Sequence, residues 1–187
     1  MTASIYNIGI LEDDPEIIDY LEDIFAESDG FNVAFSASLL TEAKSHISKL
    51  GKVDLCLVDL QLPDGDGTEF IEFLEGRAKS LVLTVLGDRT SVIKAFESGA
   101  DGYLIKDSEE WEIIKNCTKT IQGNCPISPG AASHLLKMFR AGSEKNESSA
   151  EDCLLTKRET DILTLFAKGL SYKEAAEILN LSRHTIN

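Results

Sequence analysis

The chain of 187 residues lacks both a long apolar run and the start of a secretion signal. A membrane-spanning helix needs roughly 18 or more apolar residues in succession, and no stretch approaches that length. Residues 1–10 do not combine a basic region with a following apolar run, as a signal peptide does. Together these absences predict a cytoplasmic protein with no membrane partner.

Cysteine is scarce, and its spacing is not that of a zinc site. The cysteines are Cys56, Cys117, Cys125 and Cys153. Because Cys56 lies within an apolar run, we expect it to be a buried thiol that packs as a small hydrophobic residue. Reduced thiols are usual in the cytosol, so we expect no disulfide framework.

Positive charge is also scarce. The chain has 18 lysines and arginines against 32 acidic residues, a net charge of −14. Residues 1–122 carry 24 acidic and 10 basic side chains, whereas residues 155–187 carry 4 acidic and 5 basic ones. The first region would repel a phosphate backbone and the last would tolerate one. This asymmetry predicts two domains with different partners.

Short apolar runs alternate with amphipathic stretches up to about Ile121. We expect strands at Tyr6–Leu11, Asn32–Ser36, Asp54–Val58, Leu81–Leu86 and Gly102–Ile105. We expect helices at Pro15–Ala26, Leu39–Leu50, Thr68–Glu75, Thr90–Ser98 and Glu109–Ile121. Five alternations predict an α/β domain with a doubly wound, five-stranded parallel sheet. Ligands of such sheets bind at the carboxyl ends of the strands.

Acidic residues follow two of the expected strands. Glu12 and Asp13 follow the first, and Asp59 follows the third. If these strands are neighbours, the carboxylates converge and repel one another unless a cation binds. Oxygen ligands suit Mg²⁺ or Mn²⁺. An aspartate beside such an ion can attack a phosphoryl group.

Two further residues fit that chemistry. Thr84, near the end of the fourth strand, offers a hydroxyl, and Lys106, at the end of the fifth, offers a compact cation. A phosphoryl group on Asp59 has three oxygens, which the metal ion, Thr84 and Lys106 could each bind. Taken singly, each residue has an ordinary explanation, and Asp14 before Pro15 is typical of a helix N-cap. Their joint placement at strand ends favours a functional site.

With these residues in place, residues 5 to about 121 resemble the receiver domain of two-component response regulators, which has the flavodoxin-like strand order. The motifs that carry the resemblance are ILEDDP, VDLCLVDLQLPDGDG, LVLTVL and SGADGYLIKD. The resemblance implies that Asp59 is the phosphoacceptor and that Glu12 and Asp13 are the acid pair. It also implies that the main-chain carbonyl of Gln61 binds the Mg²⁺ ion.

The resemblance assigns roles to three more side chains. Thr84 and Lys106 match the phosphate-sensing hydroxyl and lysine of the family. Tyr103 matches the aromatic switch residue that turns inward when the hydroxyl moves toward the phosphate. An ordinary strand tyrosine is the alternative for Tyr103.

Other positions concern the loop geometry and the rates. Gly65 and Gly67 match the turn after the third strand, where we expect positive φ. Glu12 stands where the family more often has aspartate, and Val85 stands where a smaller residue is common. We expect these two departures to affect rates of phosphoryl transfer or hydrolysis.

The C-terminal segment has its own pattern. Thr156 with Glu159, and Ser171 with Glu174, form two capping boxes ahead of apolar helical stretches. The segment resembles the LuxR-type helix-turn-helix domain of NarL/FixJ-like transcriptional regulators, with a recognition helix that opens at Ser182. By that resemblance the candidate DNA contacts, to bases or phosphates, are Lys173, Arg183, His184 and Thr185.

We expect three regions: a receiver domain at 1–122, a linker with a short helix at 123–153, and an incomplete LuxR-type domain at 154–187. The third helix has about one turn before Asn187 and would nucleate poorly alone. We therefore expect weak or absent DNA binding from these residues.

The sequence predicts a response regulator, not an enzyme, in which phosphorylation of Asp59 controls a DNA-binding domain. The expected partners are a sensor histidine kinase, DNA, and a second copy of the chain on phosphorylation. One alternative is a stand-alone phospho-switch or interaction module without DNA binding. A Mg²⁺-dependent phosphatase is another, but Gln61 occupies the position where such enzymes need a second acid.

Overall fold

The computed structural model describes residues 5–85, 89–106, 109–133, 135–136 and 164–165. The chain divides into two compact units. One comprises residues 1–86 and 94–126, and the other comprises residues 87–93 and 127–187. The first unit contains the sheet and the residues of the expected acidic site.

The first unit is built on a five-stranded parallel sheet. Its strands are β1 (Tyr6–Leu11), β2 (Phe31–Ala37), β3 (Leu55–Val58), β4 (Lys79–Thr84) and β5 (Gly102–Ile105). The strands lie side by side in the order β2-β1-β3-β4-β5, and every neighbouring pair is parallel. The doubly wound α/β fold is therefore confirmed. The order makes β1 and β3 neighbours, which the acidic site required.

Five helices accompany the strands: α1 (Pro15–Ala26), α2 (Leu40–Lys49), α3 (Thr68–Leu74), α4 (Arg89–Glu97) and α5 (Glu110–Ile121). α1 shows why the local sequence forms a helix. Asp14 accepts the Glu16 amide at 2.9 Å, and Pro15 at the first helical position has no N–H to satisfy. The buried face of α1 carries Leu21, Ile24 and Phe25.

The central strands are apolar on both sides. All four residues of β3, including Cys56, are buried, and so are the last five residues of β4. Residues of α1 and α5 pack against these strands in one core cluster, which includes Leu21, Phe25 and Cys117. The expectation that Cys56 is a buried thiol is confirmed. Within the described ranges, no helix combines the length and apolar character needed to cross a membrane.

Several elements differ by one residue from their expected bounds, and two local features differ more. β4 begins at Lys79, not Leu81, because Lys79 pairs with Leu55 in the register that β3 imposes. A short antiparallel hairpin joins Gln61–Leu62 to Gly65–Asp66, and two-residue strands have no apolar period by which a sequence could reveal them. β4 ends at Thr84, which places that residue at the edge of the sheet.

The described part of the second unit includes a helical turn after Pro129. Residues 129–133 and 135–136 are helical, beginning two residues before the short helix that the sequence predicts at Ala131–Arg140. The Ser128 hydroxyl accepts the Ala131 amide at 3.3 Å, which caps this helix. The capping boxes of the C-terminal segment lie outside the described residues.

Candidate phosphoryl and metal site

The carboxyl ends of β1 and β3 bring three acids together. Leu11 pairs with Val58 at the end of the two strands, so the residues that follow them share one edge of the sheet. The Asp59 amide donates to the Leu11 carbonyl at 2.8 Å, which fixes the chain at that point. One carboxylate oxygen from each of Glu12, Asp13 and Asp59 lies within 4.8 Å of the other two.

Lys106 neutralises part of this charge. Its Nζ lies 2.8 Å from Asp59 Oδ2 and 2.6 Å from Glu12 Oε2. The Lys106, Asp59 and Glu12 side chains are only 10%, 8% and 3% exposed. Asp13 is exposed, so the cluster opens to water on its side. One ammonium group against three carboxylates leaves an excess of negative charge.

The titration behaviour follows from that crowding. Burial raises the pKa of Glu12, and the charge of Asp59 raises it further, although the Lys106 hydrogen bond acts in the opposite direction. Burial alone would lower the pKa of Lys106. Hydrogen bonds and charge from Asp59 and Glu12 outweigh burial, so the pKa of Lys106 is raised and it remains an ammonium group.

Backbone groups orient the Asp59 side chain. Its Oδ1 accepts the amide of Leu60 at 2.6 Å and that of Gln61 at 3.3 Å, while Oδ2 faces Lys106. Both oxygens therefore have fixed directions, one toward the following loop and one toward β5. Charge-assisted hydrogen bonds of this kind hold a carboxylate in a single orientation.

The two loop glycines, Gly65 and Gly67, occupy their positions for different structural reasons. Gly65 has the expected positive φ, 156°. For Gly67 the expectation of positive φ is wrong, because its φ is −56°. A Cβ at Gly67 would instead overlap the main-chain carbonyl oxygen of Asp59. Gly67 is thus required by close packing against the backbone of the acidic residue.

Thr84 and Tyr103 lie on neighbouring strands, and both are buried. Thr84 is 4% exposed, and its carbonyl accepts the Lys106 amide at 2.8 Å. The Tyr103 side chain is fully buried and its ring centroid lies 6.2 Å from that of Phe96. The aromatic side chain therefore points inward in this structure. Val85, next to Thr84, is 61% exposed.

A shallow, open cleft lies beside the acidic cluster. Asp13 lines it together with the Gln61–Leu62 and Gly65–Asp66 hairpin. Gln61, the residue whose carbonyl is an expected metal ligand, is therefore in the wall of this cleft. Carboxylate and carbonyl oxygens around an open, water-accessible space are the ligand set that Mg²⁺ prefers. The residues present fit a divalent ion of this type.

Sequence reasoning missed one residue near this cleft. Asp64, at the tip of the hairpin, caps α2 from a distance. An aspartate before a glycine is typical of a turn, and nothing in the local sequence indicates that Asp64 contacts the N-terminus of α2. The candidate DNA contacts, in contrast, lie outside the described residues; they are Lys173, Arg183, His184 and Thr185.

Two family models match this chain. A family model described as a response regulator receiver domain matches residues 8–118, and one described as bacterial regulatory proteins, luxR family, matches residues 153–187. The transcriptional regulatory protein YhcZ of Bacillus subtilis, itself uncharacterized, is 32% identical over 95% of this chain and 83% of its own length.

Two other proteins are similar. The nitrate/nitrite response regulator NarL of Escherichia coli is 33% identical over 71% of this chain, a stretch that spans 62% of NarL. The crystal structure of ChrA, the response regulator of a heme-sensing two-component system, has a TM-score of 0.58 at 26% identity. It covers 98% of this chain and 85% of ChrA.

The receiver fold and the receiver family match, which covers more than half of the chain, show that the chain belongs to the response-regulator family. With its LuxR-type segment, it is a two-component response regulator of the NarL/FixJ-like type, a transcription factor. This confirms the family resemblance.

Proposed function

We propose that Asp59 is the phosphoacceptor of this receiver domain and that its phosphorylation controls the LuxR-type domain. The observation that carries the proposal is the Asp59 carboxylate itself. It is held by two backbone amides and one lysine, within an acidic cluster at the carboxyl end of the sheet. Neighbouring charges with this arrangement prepare a side chain for reaction with a phosphoryl group.

In the proposed step, a carboxylate oxygen of Asp59 attacks the phosphorus of a phosphodonor, and the bond between phosphorus and the leaving group breaks. With acetyl phosphate, acetate leaves and an aspartyl phosphate forms. The Lys106 ammonium group leaves the carboxylates and pairs with a phosphoryl oxygen. Lys106 stays protonated throughout this exchange, because its pKa is raised. The Thr84 hydroxyl donates to another phosphoryl oxygen, with Tyr103 as the accompanying switch residue.

Glu12, Asp13, Asp59 and the carbonyl of Gln61 are the proposed ligands of a Mg²⁺ ion. When bound, this ion supplies the positive charge that offsets the carboxylates and the incoming phosphoryl oxygens. The support for this assignment is the carboxylate cluster beside the open cleft. The negative excess around Lys106 also favours a cation.

The proposed partners follow from the two matched families. A receiver domain implies a sensor histidine kinase as phosphodonor, and a LuxR-type domain implies DNA. We propose that the DNA contacts are made by Lys173, Arg183, His184 and Thr185, and that phosphorylation favours a homodimer. A DNA partner places the protein in the compartment that holds the DNA, which is the cytoplasm in bacteria.

We also propose that the chain is a switch and not a turnover enzyme. Phosphatases that use an aspartyl nucleophile need a nearby acid to transfer protons, and Gln61 at that position cannot do so. Catalytic hydrolysis of phosphate esters in a turnover assay would contradict this assignment.

The experiment that tests the site is intact-mass spectrometry after incubation with acetyl phosphate and Mg²⁺. We expect one added phosphoryl group on the wild-type protein and none on Asp59→Asn. Asp101→Asn is the matched control, since Asp101 lies at the opposite end of the strands, where it accepts hydrogen bonds from Lys79 and from the Ser80 amide. Phosphorylation of Asp59→Asn equal to that of the wild type would refute the assignment.

The DNA-binding part is tested by fluorescence anisotropy with a pool of random duplexes, with and without prior phosphorylation. We expect Arg183→Ala and Lys173→Ala to weaken binding, because each removes a cation that can neutralise a phosphate. Measurable binding by the wild type that neither variant weakens would contradict the assigned contacts.

A further inference from the structure

The N-terminus of α2 is capped from outside the helix. The helix begins at Leu40, and the preceding residue, Leu39, has no side-chain oxygen that could accept an amide. Asp64, 24 positions later, provides the cap: Oδ1 accepts the Leu40 amide at 2.8 Å and Oδ2 accepts the Thr41 amide at 3.2 Å. Its charge also lies at the positive end of the helix dipole.

Asp64 occupies the tip of the hairpin beside the acidic cleft. The hairpin pairs Gln61–Leu62 with Gly65–Asp66, so Pro63 and Asp64 form its turn. A serine or threonine at position 39 would cap α2 as well as Asp64 does, but it would not hold the hairpin. The remote cap therefore joins two elements that a local cap would leave separate.

A second contact supports the same attachment. Gly65 packs directly against α2, since a Cβ at this position would lie 2.6 Å from Leu40 Cδ1. The ion pair between Lys44 and Glu69, at 3.7 Å, joins α2 to the helix that follows the hairpin. The hairpin is thus packed against α2 as well as hydrogen-bonded to it.

The base of the hairpin reaches the reactive carboxylate. The Gln61 amide donates to Asp59 Oδ1 at 3.3 Å, and Gln61 lines the same cleft as Asp13. At the end of the loop, the Gly67 amide donates to the Leu60 carbonyl at 2.9 Å. A shift of the hairpin tip would therefore move the proposed carbonyl ligand relative to the two carboxylates.

We propose that Asp64 is a positioning residue for the metal and phosphoryl site. By fixing the hairpin on α2, its carboxylate would hold the backbone of Gln61 in place beside Asp13 and Asp59, the residues that would bind the ion. The inference rests on the proposed function, because it concerns the geometry of that same site. Asp64 itself touches neither the ion nor the phosphoryl group.

The test is a titration of the full chain with Mn²⁺, with the free ion measured by electron paramagnetic resonance. Mn²⁺ is a suitable probe because it takes the same oxygen ligands as Mg²⁺. Partners that orient a metal ligand typically contribute about 10–100-fold to affinity, and Asp64 acts through one more link. We therefore expect Asp64→Ala to weaken Mn²⁺ binding by about tenfold. Asp64→Asn, which keeps one acceptor oxygen, should fall between Asp64→Ala and the wild type.

A matched control separates positioning from the stability of α2. Glu42→Gly places a flexible residue on the exposed side of the first turn of the same helix and leaves the Asp64 cap intact. We expect Glu42→Gly to lower the melting temperature but to bind Mn²⁺ like the wild type. Equal Mn²⁺ affinity of Asp64→Ala and the wild type, or equal weakening by Glu42→Gly, would overturn the inference.

Phosphorylation by acetyl phosphate in Mg²⁺ gives a second readout. Asp64→Ala should need a higher Mg²⁺ concentration to reach half of its maximal rate, with the maximal rate itself less affected. An unchanged Mg²⁺ requirement would count against Asp64. If the wild-type protein neither binds Mn²⁺ nor accepts phosphate, the proposed function itself fails, and that result is distinct from failure of the Asp64 inference alone.

Discussion

At both ends of the parallel strands a lysine lies within 2.8 Å of a carboxylate, but the surroundings differ. At the carboxyl end, Lys106 contacts Glu12 and Asp59, and none of these side chains is more than 10% exposed. At the amino end, Lys79 contacts Asp101, and these two are 46% and 26% exposed. The first group keeps a negative excess in a poorly solvated place, whereas the second is neutral and hydrated.

This difference shows that distance alone does not identify a functional charge. Exposed ion pairs contribute little because water solvates both partners whether or not they meet. Buried charges depend on one another, since neither has water to replace a lost partner. The number of partners and the access of water therefore distinguish the two edges.

The glycines before and after β3 differ in how much space surrounds them. Gly51, before the strand, has no atom within 4 Å of where a Cβ would lie, while a Cβ at Gly67, after the strand, would overlap a backbone oxygen. Gly51 therefore has open space beside it, whereas Gly67 is crowded by the backbone of Asp59. Close packing at the carboxyl edge fixes the position of the Asp59 backbone.

The largest expected effect comes from this pair of glycines. Gly67→Ala should lower the free energy of unfolding by about 3 kcal/mol, because the overlap is with backbone that cannot rotate away. Gly51→Ala, the matched control, should change the free energy of unfolding by less than about 1 kcal/mol. Urea denaturation measures both, and similar losses in the two variants would contradict the contrast between the edges.

The two lysines give the next effect. Lys106→Met should cost about 2 kcal/mol in metal-free buffer, because it leaves two buried carboxylates without their cation. The cost stays below that of a fully buried pair, since the raised pKa of Glu12 lets this group take up a proton.

Lys79→Met is the control for that measurement. We expect a loss of about 0.2–1 kcal/mol, because the pair with Asp101 is largely hydrated and Asp101 still accepts the Ser80 amide at 2.9 Å. Denaturation with a chelator present compares the two variants. A larger loss for Lys79→Met than for Lys106→Met would reverse the proposed distinction.

The smallest expected effect is the pH dependence of the Asp64 cap. Burial alone would raise the pKa of Asp64, but hydrogen bonds from the Leu40 and Thr41 amides outweigh it, so its pKa lies below the ordinary 3.8. A lowered carboxyl pKa contributes stability above the ordinary value, and that stability is lost as the pH falls through the folded-state value.

Asp64→Asn should therefore melt at a lower temperature than the wild type near neutral pH, and the difference should narrow below about pH 4. Thermal melts across that range provide the check. A difference that stays constant with pH would show that the charge of the cap does not contribute.

Much of the fold was predictable because its signals are local. β1, β5 and α1 have the predicted bounds, since apolar period, Asp14 and Pro15 act on the residues beside them. The observed start of β4 lies two residues before the predicted one, because it depends on pairing with β3. The hairpin after Asp59 was missed because two-residue strands carry no periodic signal.

The candidate site was likewise predictable only in part. The sequence by itself determined which chemical groups follow the strands: the acids Glu12, Asp13 and Asp59, the Thr84 hydroxyl and the Lys106 ammonium group. These could be named because alternating strands and helices place such positions at one edge of a sheet.

Only the tertiary structure decided which of these charged groups contact one another. Lys106 meets Asp59 across 47 positions, and Asp64 caps a helix that begins 24 positions before it. The structure also replaced a backbone-angle reason for Gly67 with a packing one. Contacts at such separations depend on strand order and burial, which arise from the packing of the whole domain and not from any short stretch of the chain.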